Sequence, residues 1–123
     1  MKKQKVIISC GGTGGHIFPA LDIANSLVEK NKNIDILFVG ALGKMEMIKI
    51  PEKGFPIKGL WIQGFYRSSV FKNILLPLKI LISLIQSIYI LIIYRPIAVI
   101  GTGGFASGPI LFVASFFNFK TYI

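Results

Sequence analysis

The fold is decided by the stretch Cys10-Gly11-Gly12-Thr13-Gly14-Gly15-His16-Ile17-Phe18-Pro19. It follows the apolar run Val6-Ile7-Ile8 and precedes a helical pattern that begins near Phe18, so the predicted order is strand, glycine turn and helix. Glycines lack the Cβ atoms that would keep a backbone away from a ligand, and the N–H groups of the turn and of the helix start converge on one place. That place favours a phosphate or another anion.

This glycine turn fits neither of the common phosphate-binding patterns. A P-loop requires a lysine where this chain has His16, and a dinucleotide fingerprint that begins at Gly12 requires glycine or alanine where the chain has Ile17. The turn is therefore of another kind, and it carries the only histidine of the chain. A tight strand-to-helix turn capped by that histidine is the purely structural alternative.

Charge is distributed unevenly along the 123 residues, which suffice for one domain with its own core. Lysine and arginine total 14 against five acids, and all five acids lie within the first 52 residues. The second half is basic and also strongly apolar, and an anionic membrane surface satisfies both properties. Nucleic acid satisfies only the charge, and the sequence has no zinc spacing, RNA-binding aromatic motif or basic helix to support it.

Cys10 is the single cysteine, which excludes an internal disulfide and fits a reducing compartment. Its position at the end of an apolar strand favours a small core residue over a nucleophile. The sequence contains no recognisable metal-ligand cluster, paired carboxylates or Ser-His-Asp set. We therefore predict neither a metal site nor a cofactor.

Alternating strands and helices predict an α/β fold with a Rossmann-like parallel sheet and flanking helices. A right-handed βαβ unit covers the first forty residues. The predicted strands are 5–10, 35–40, 55–62, 97–100 and 120–123, and the predicted helices are 18–30, 44–50 (stopped at Pro51), 71–94 (ended by Arg95-Pro96) and a last one opened by Pro109.

The predicted helix 71–94 is apolar around most of its circumference. Its polar residues fall within one narrow stripe: Lys72, Lys79, Ser83, Gln86, Ser87 and Tyr94. A helix that packs on a sheet needs an apolar stripe of only about 100°, so part of this surface must face a lipid, a partner or a second protein layer. Burial on most sides and insertion at a membrane surface both explain the pattern, and the basic, acid-free flanks favour the membrane.

A second glycine turn, Gly101-Thr102-Gly103-Gly104-Phe105-Ala106-Ser107-Gly108-Pro109, follows the fourth predicted strand. The carboxyl ends of parallel strands share one edge of the sheet, and open α/β sheets bind ligands there. Two glycine turns on that edge indicate a diphosphate, or two phosphorylated ligands that meet.

The two glycine turns at this separation, together with Phe38-Val39-Gly40, Lys44-Met45-Glu46 and the basic apolar helix before Arg95-Pro96, resemble the N-terminal domain of the MurG family. These bacterial glycosyltransferases complete the lipid-linked peptidoglycan precursor. The resemblance covers essentially the whole chain, and it implies the N-terminal half of a GT-B fold of two Rossmann-like domains.

The resemblance also implies an activity. Members of the family are inverting hexosyltransferases that move N-acetylglucosamine from UDP-N-acetylglucosamine to the muramoyl pentapeptide carried on undecaprenyl diphosphate. Their N-terminal domain holds the lipid acceptor at the cytoplasmic face of the cell membrane, as a peripheral protein, and the reaction needs no essential metal. Peptidoglycan synthesis, and with it cell shape and division, is the process implied.

Site residues follow from the same resemblance. Thr13, Gly14 and Gly15 are expected to meet the donor, and His16 is the candidate general base, or else a group that only orients a ligand. An unperturbed imidazole titrates near pH ~6.5, which suits removal of a hydroxyl proton. Gly103, Gly104 and Ser107 are candidates for the acceptor diphosphate. The candidates for membrane and lipid contact are Arg67, Lys72, Leu75, Lys79 and Ile82.

The chain departs from the family in length. Residues 1–123 are expected to form a single, incomplete acceptor-binding domain that lacks the C-terminal donor domain of the family. The chain is then either a truncated piece of the transferase or the acceptor subunit of a split one, and by itself it is expected to be inactive. A non-catalytic module that binds an anionic lipid at the membrane surface is the alternative of a different class.

Overall fold

The computed structural model describes residues 3–11, 17–62, 74–104 and 107–122. Its elements, in chain order, are β1 (Gln4–Ser9), α1 (Ile17–Lys30), β2 (Ile34–Ala41), α2 (Glu46–Glu52), β3 (Ile57–Leu60), α3 (Leu76–Tyr94), β4 (Ala98–Gly101), α4 (Ser107–Phe116) and β5 (Lys120–Tyr122). The strands form one sheet in the order β3-β2-β1-β4-β5, and every neighbouring pair is parallel. The predicted α/β fold with flanking helices is confirmed.

Prolines account for the main differences from the predicted boundaries. Pro51 was expected to stop the second helix, but it lies inside α2, in its last turn. The helix ends just after it, where the Lys53 and Gly54 N–H groups donate to the carbonyl oxygens of Ile50 and Pro51 respectively. Pro109 does not open α4 but lies within its first turn, where the missing N–H costs nothing. Residues 71–73 of the predicted long helix and Ile123 lie outside the described residues.

Both faces of the sheet are buried, which explains why the strands are continuously apolar. Strand side chains alternate between two cores. One core joins Ile7, Leu37 and Val99 to α3 and α4, and the other joins Ile8 and Phe38 to α1 and α2. Helices α3 and α4 therefore cover one face, and α1 and α2 cover the other.

Helix α3 is turned with its polar stripe toward the protein. Ser83 and Ser87 are fully buried, and each hydroxyl donates to a backbone carbonyl of the same helix, Ile80 O and Ser83 O respectively, at 2.8 Å. The side-chain oxygen of Gln86 accepts a bond from the Trp61 N–H at 2.8 Å. The polar residues of this helix thus find partners inside the domain instead of facing water.

The opposite side of α3 is an outward apolar stripe made of Leu78, Leu81, Ile85, Tyr89 and Ile92, all of which are exposed. At 100° per residue these side chains lie on one side of the helix along its whole length. The helix is long and apolar enough to cross a membrane, but four of its residues are buried against the sheet side. It ends at Arg95, which adopts a left-handed conformation (φ 52°) before Pro96. Within this chain, α3 is not buried on most sides.

The two glycine turns meet in direct backbone contact. Strands β1 and β4 are neighbours, and the chain leaves them for α1 on one face and α4 on the other, so a crevice opens between their carboxyl ends. Gly104 has φ 85°, and a Cβ at this position would overlap the carbonyl oxygen of Gly11. Only glycine permits this approach.

Replacement of Gly104 by alanine is therefore expected to destabilise the chain by about 2 kcal/mol or more, because the new Cβ meets backbone and the φ angle is unfavourable for an L-residue. Gly108→Ala is the matched control, since nothing lies within 4 Å of a Cβ there and the position is helical. It should be neutral or stabilising by up to about 1 kcal/mol. Urea unfolding of both variants measures the difference, and equal stabilities would contradict the contact between the turns.

Cys10 is a buried core residue at the carboxyl end of β1. Burial and, to a smaller extent, the nearby charge of Glu46 together raise the pKa of its thiol from 9.0 to about 12. The side chain is fully buried and carries almost no thiolate at neutral pH, so it lacks the properties of a reactive nucleophile. The preference for a core residue at this position is confirmed.

The stability of the chain should fall at alkaline pH for the same reason. The folded pKa lies above the unfolded one, so the contribution of the neutral thiol is complete below pH 9.0 and is lost as the pH rises toward 12. Cys10→Ala should make the decline shallower by up to about 1.4 kcal/mol per pH unit in this window. Tyr94, whose pKa is raised from 10.0 to about 12 by burial and Asp35, remains as a second contribution above pH 10.0. Unfolding measured at pH 8 to 11 would refute the assignment if both chains gave parallel curves.

Candidate functional site

The candidate site is the carboxyl edge of the sheet, at the crevice between β1 and β4. Helices α1 and α4 both begin at this edge, because each directly follows the glycine turn of its strand. Their N-terminal N–H groups and positive dipole ends therefore face the same region. This arrangement suits one diphosphate or two phosphate groups brought together.

The carbonyl oxygen of Ser9 links the second turn to the end of β1. It accepts bonds from the Thr102 N–H at 2.9 Å and from the Thr102 hydroxyl at 3.2 Å. The Ser107 hydroxyl lies 3.2 Å from the same oxygen. The end of β1 therefore holds the residues on both sides of the Gly103-Gly104 pair, Thr102 before it and Ser107 after it. These bonds keep the glycine pair against Gly11.

Ser107 is turned into the protein. Its side chain is 4% exposed, and its hydroxyl lies 2.8 Å from the Gly103 carbonyl as well as near Ser9. Its backbone N–H donates to Gly104 O at 3.2 Å. Of the three acceptor candidates, the two glycines are partly exposed at the crevice, and Ser107 lies behind them.

Glu46 is a fully buried carboxylate at the same edge. Its Oε2 accepts a bond from the Ala41 N–H at 2.9 Å, which ties the first turn of α2 to the end of β2. Gly40 makes room for it, since a Cβ there would lie 2.5 Å from Glu46 Cγ. Across the described ranges, no group of three or more His, Cys, Asp or Glu side chains is arranged to hold a metal.

The first turn supplies four of the predicted site residues. Thr13, Gly14, Gly15 and His16 all lie outside the described residues. Their flanks are described: Gly11 is buried against the second turn, and Ile17 is buried at the start of α1. The donor and base assignments therefore stay predictions.

Only some of the predicted lipid-contact residues lie within the part of the chain that the structure describes. Arg67 and Lys72 lie outside the described residues, whereas Leu75 is 48% exposed at the start of α3. Ile82 and Lys79 are half-buried, and the Lys79 ammonium lies over the Trp61 ring, 5.5 Å from its centre. Lys79 thus belongs to the polar stripe of α3 and packs on Trp61.

Sequence reasoning assigned no role to Ser9, Thr102, Gly40 or Glu46. The signal for Thr102 was its place between the strand and the glycine pair, where a side chain with a hydroxyl can bond the neighbouring strand end. For Glu46 the signal was an acid that follows a glycine-ended strand within a short loop. Neither signal distinguishes a buried group from a surface one without the fold.

The chain is similar to known glycosyltransferases. Residues 6–123 match the family described as "Glycosyltransferase family 28 N-terminal domain". The chain is 51% identical over 123 residues to the UDP-N-acetylglucosamine–N-acetylmuramyl-(pentapeptide) pyrophosphoryl-undecaprenol N-acetylglucosamine transferase of Flavobacterium psychrophilum, covering 100% of this chain and 34% of the relative. It is 52% identical over 110 residues to the transferase of the same name from Christiangramia forsetii, covering 89% of this chain and 30% of the relative.

The fold is shared with a solved structure as well. The crystal structure of Acinetobacter baumannii MurG superposes with a TM-score of 0.81 at 27% identity, over 96% of this chain and 34% of that one. The chain spans about a third of the length of the curated relatives that it matches. It therefore belongs to glycosyltransferase family 28, and it corresponds to the N-terminal domain of the MurG transferases.

Proposed function

We propose that this chain is the acceptor-side domain of a transferase that moves N-acetylglucosamine from UDP-N-acetylglucosamine to undecaprenyl-diphosphate-linked N-acetylmuramoyl pentapeptide in peptidoglycan synthesis. The observation that carries the proposal is the backbone contact between Gly11 and Gly104, which joins two glycine turns at the ligand edge of the sheet. Relatives at about half identity bear the name of this activity.

In this proposal the second turn receives the acceptor diphosphate. Gly103 and Gly104 offer backbone at the crevice, and the start of α4 adds the positive end of a helix dipole. Ser107 acts by holding the turn, because its hydroxyl is committed to the Ser9 and Gly103 carbonyls. Thr13, Gly14 and Gly15 meet the donor at the facing turn.

His16 is proposed as the general base that removes the proton from the attacking C4 hydroxyl of the muramoyl sugar. Direct attack on the anomeric carbon then inverts its configuration and releases UDP, with no covalent intermediate on the protein. Helix N-termini at the crevice stabilise the charge that develops on the diphosphate leaving group. An orienting role for the imidazole is the alternative within the same site.

The membrane face of the proposed transferase is the outward apolar stripe of α3. We assign headgroup contacts to Lys79 of this helix and to Arg67 and Lys72, which precede the helix in the sequence. Leu75 and Ile82 border the stripe. Residues 53–123 contain no acid, so this half of the chain attracts anionic headgroups. The proposed location is the cytoplasmic face of the cell membrane, with the chain bound peripherally.

Transfer is expected to require the rest of the family's length. The purified chain alone should show no turnover of UDP-N-acetylglucosamine, whereas a chimera with the remaining two-thirds of the Flavobacterium psychrophilum relative should form the disaccharide product. In that chimera His16→Ala should lower kcat by about a hundredfold or more, the usual worth of a general base. Retention of full kcat would refute the role as base.

Two controls separate this proposal from a non-catalytic lipid-binding module. Ser26→Ala, an exposed position on α1, should leave transfer unchanged. Vesicle binding of His16→Ala should equal that of the unmodified chimera. An inactive chimera with intact vesicle binding would favour the module.

Membrane binding is expected to depend on the outward face of α3. Leu81→Glu, at a position 55% exposed, should lower partitioning into phosphatidylglycerol vesicles about tenfold, because apolar area is replaced by a charge that anionic lipids repel. Ile48→Glu, at a position 65% exposed on α2, is the matched control on the other face of the sheet. Co-sedimentation with vesicles measures both, and an equal loss for the two variants would contradict the assigned face.

A further inference from the structure

A groove runs between the second half of α3 and the strands β2 and β3. It encloses about 530 Å³, within the range of ligand sites, and α3 supplies most of its wall. Three residues of the sheet close the other side. The lining residues are Leu37, Lys58, Gly59, Ile85, Gln86, Tyr89, Ile90, Ile93 and Tyr94.

The groove lies away from the crevice between the glycine turns. Helix α3 begins at the carboxyl edge of the sheet and runs toward the opposite edge, where β4 starts. The groove follows residues 85–94, the half of the helix that is farther from the ligand edge. It is therefore separate from the candidate site described above.

The wall of this groove is mainly apolar and contains one cation. Its helical side is formed by the exposed residues Ile85, Tyr89 and Ile93, and the side-chain oxygen of Gln86 accepts a bond from the Trp61 backbone N–H. Lys58, an exposed residue of the edge strand, is the charged residue of the lining. An apolar channel with a cation at its border matches a hydrocarbon chain attached to an anionic headgroup.

From this geometry we propose that the groove binds one acyl chain of an anionic phospholipid, with the Lys58 ammonium on the lipid phosphate. The inference rests on the proposed membrane face and adds a discrete lipid site to it. Ile85 and Tyr89 belong to both the groove and the outward apolar stripe, so the two surfaces are continuous. Residues 85–94 span about 14 Å of helix. This is close to half of the ~30 Å hydrocarbon core of a bilayer, the depth that one lipid chain fills.

Charge favours a lipid over a second copy of this chain. Among the described residues that line the groove, Lys58 is the only charged one, and it is a cation. A symmetric dimer that covers the groove would bring the two copies of Lys58 toward each other, whereas an anionic lipid neutralises the charge.

The test uses dihexanoyl phosphatidylglycerol as a dissolved monomer, below its critical micelle concentration. Trp61 is the only tryptophan of the chain, and its backbone N–H bonds the side chain of the groove residue Gln86, so its fluorescence serves as a probe close to the groove. We expect a saturable change with one lipid per chain. Glycerol phosphate, which carries the phosphate without the chains, should produce no saturation at the same concentrations.

Matched variants locate the site. Ile93→Glu should weaken binding of the dissolved lipid about tenfold or more, because it places a carboxylate in an apolar wall near the phosphate. Lys58→Glu should weaken it by a similar factor. The controls are Ile48→Glu, whose residue has the same 65% exposure as Ile93, and Lys53→Glu at the end of α2; both should bind as the unmodified chain does. Circular dichroism verifies that all four variants are folded.

The outcomes distinguish this inference from the proposed membrane face. Vesicle binding without saturable binding of the dissolved lipid would overturn the groove and leave the membrane face standing. Equal losses in the groove and control variants would also overturn it. A dimer in the absence of lipid that Ile93→Glu dissociates would overturn it in favour of a second copy.

Discussion

The close approach of Gly11 to Gly104 is the constraint on which the rest of the structure depends. It exists because β1 and β4 are adjacent and send their helices to opposite faces of the sheet. A side chain at Gly104 would separate the turns, and the crevice between the two helix starts would change shape. The hydrogen bonds from Thr102 and Ser107 to Ser9 O maintain the same approach from the second turn. The geometry proposed for the diphosphate is thus set by backbone, and few side chains are needed to create it.

The sequence predicted the order of strands and helices because each strand is continuously apolar and each glycine turn interrupts it. The two turns were also expected at one edge, which follows from parallel strands. Their contact was not predictable, since the spacing of Gly11 and Gly104 in sequence does not state which strands are neighbours. The partners of Ser107 were missed for the same reason: its hydroxyl bonds a residue far away in the chain, so a candidate ligand is in fact turned inward. Glu46 was assigned no role because an acid near a loop usually faces water.

The orientation of helix α3 could not be predicted from its sequence pattern. The sequence gives the angular width of its polar stripe but not the direction in which the stripe points. The structure turns Ser83 and Ser87 inward, where each hydroxyl is satisfied by the helix backbone, and leaves the isoleucines outside. This orientation leaves an apolar surface that the domain itself does not cover. The proposed membrane face and the groove beside β3 are two parts of that surface.

The inward serines of α3 also mark the boundary between two sides of one helix that differ in tolerance to substitution. Residues that hold α3 to the sheet are few and include small hydroxyl side chains whose hydrogen bonds stay within the helix. Residues on the outer side contact little else in the domain, so exchanging one apolar residue for another there changes folding free energy only slightly. The outer side is therefore expected to accept many apolar replacements, whereas the inner side accepts few. In this chain, tolerance to substitution and attachment to the sheet are assigned to opposite sides of a single element.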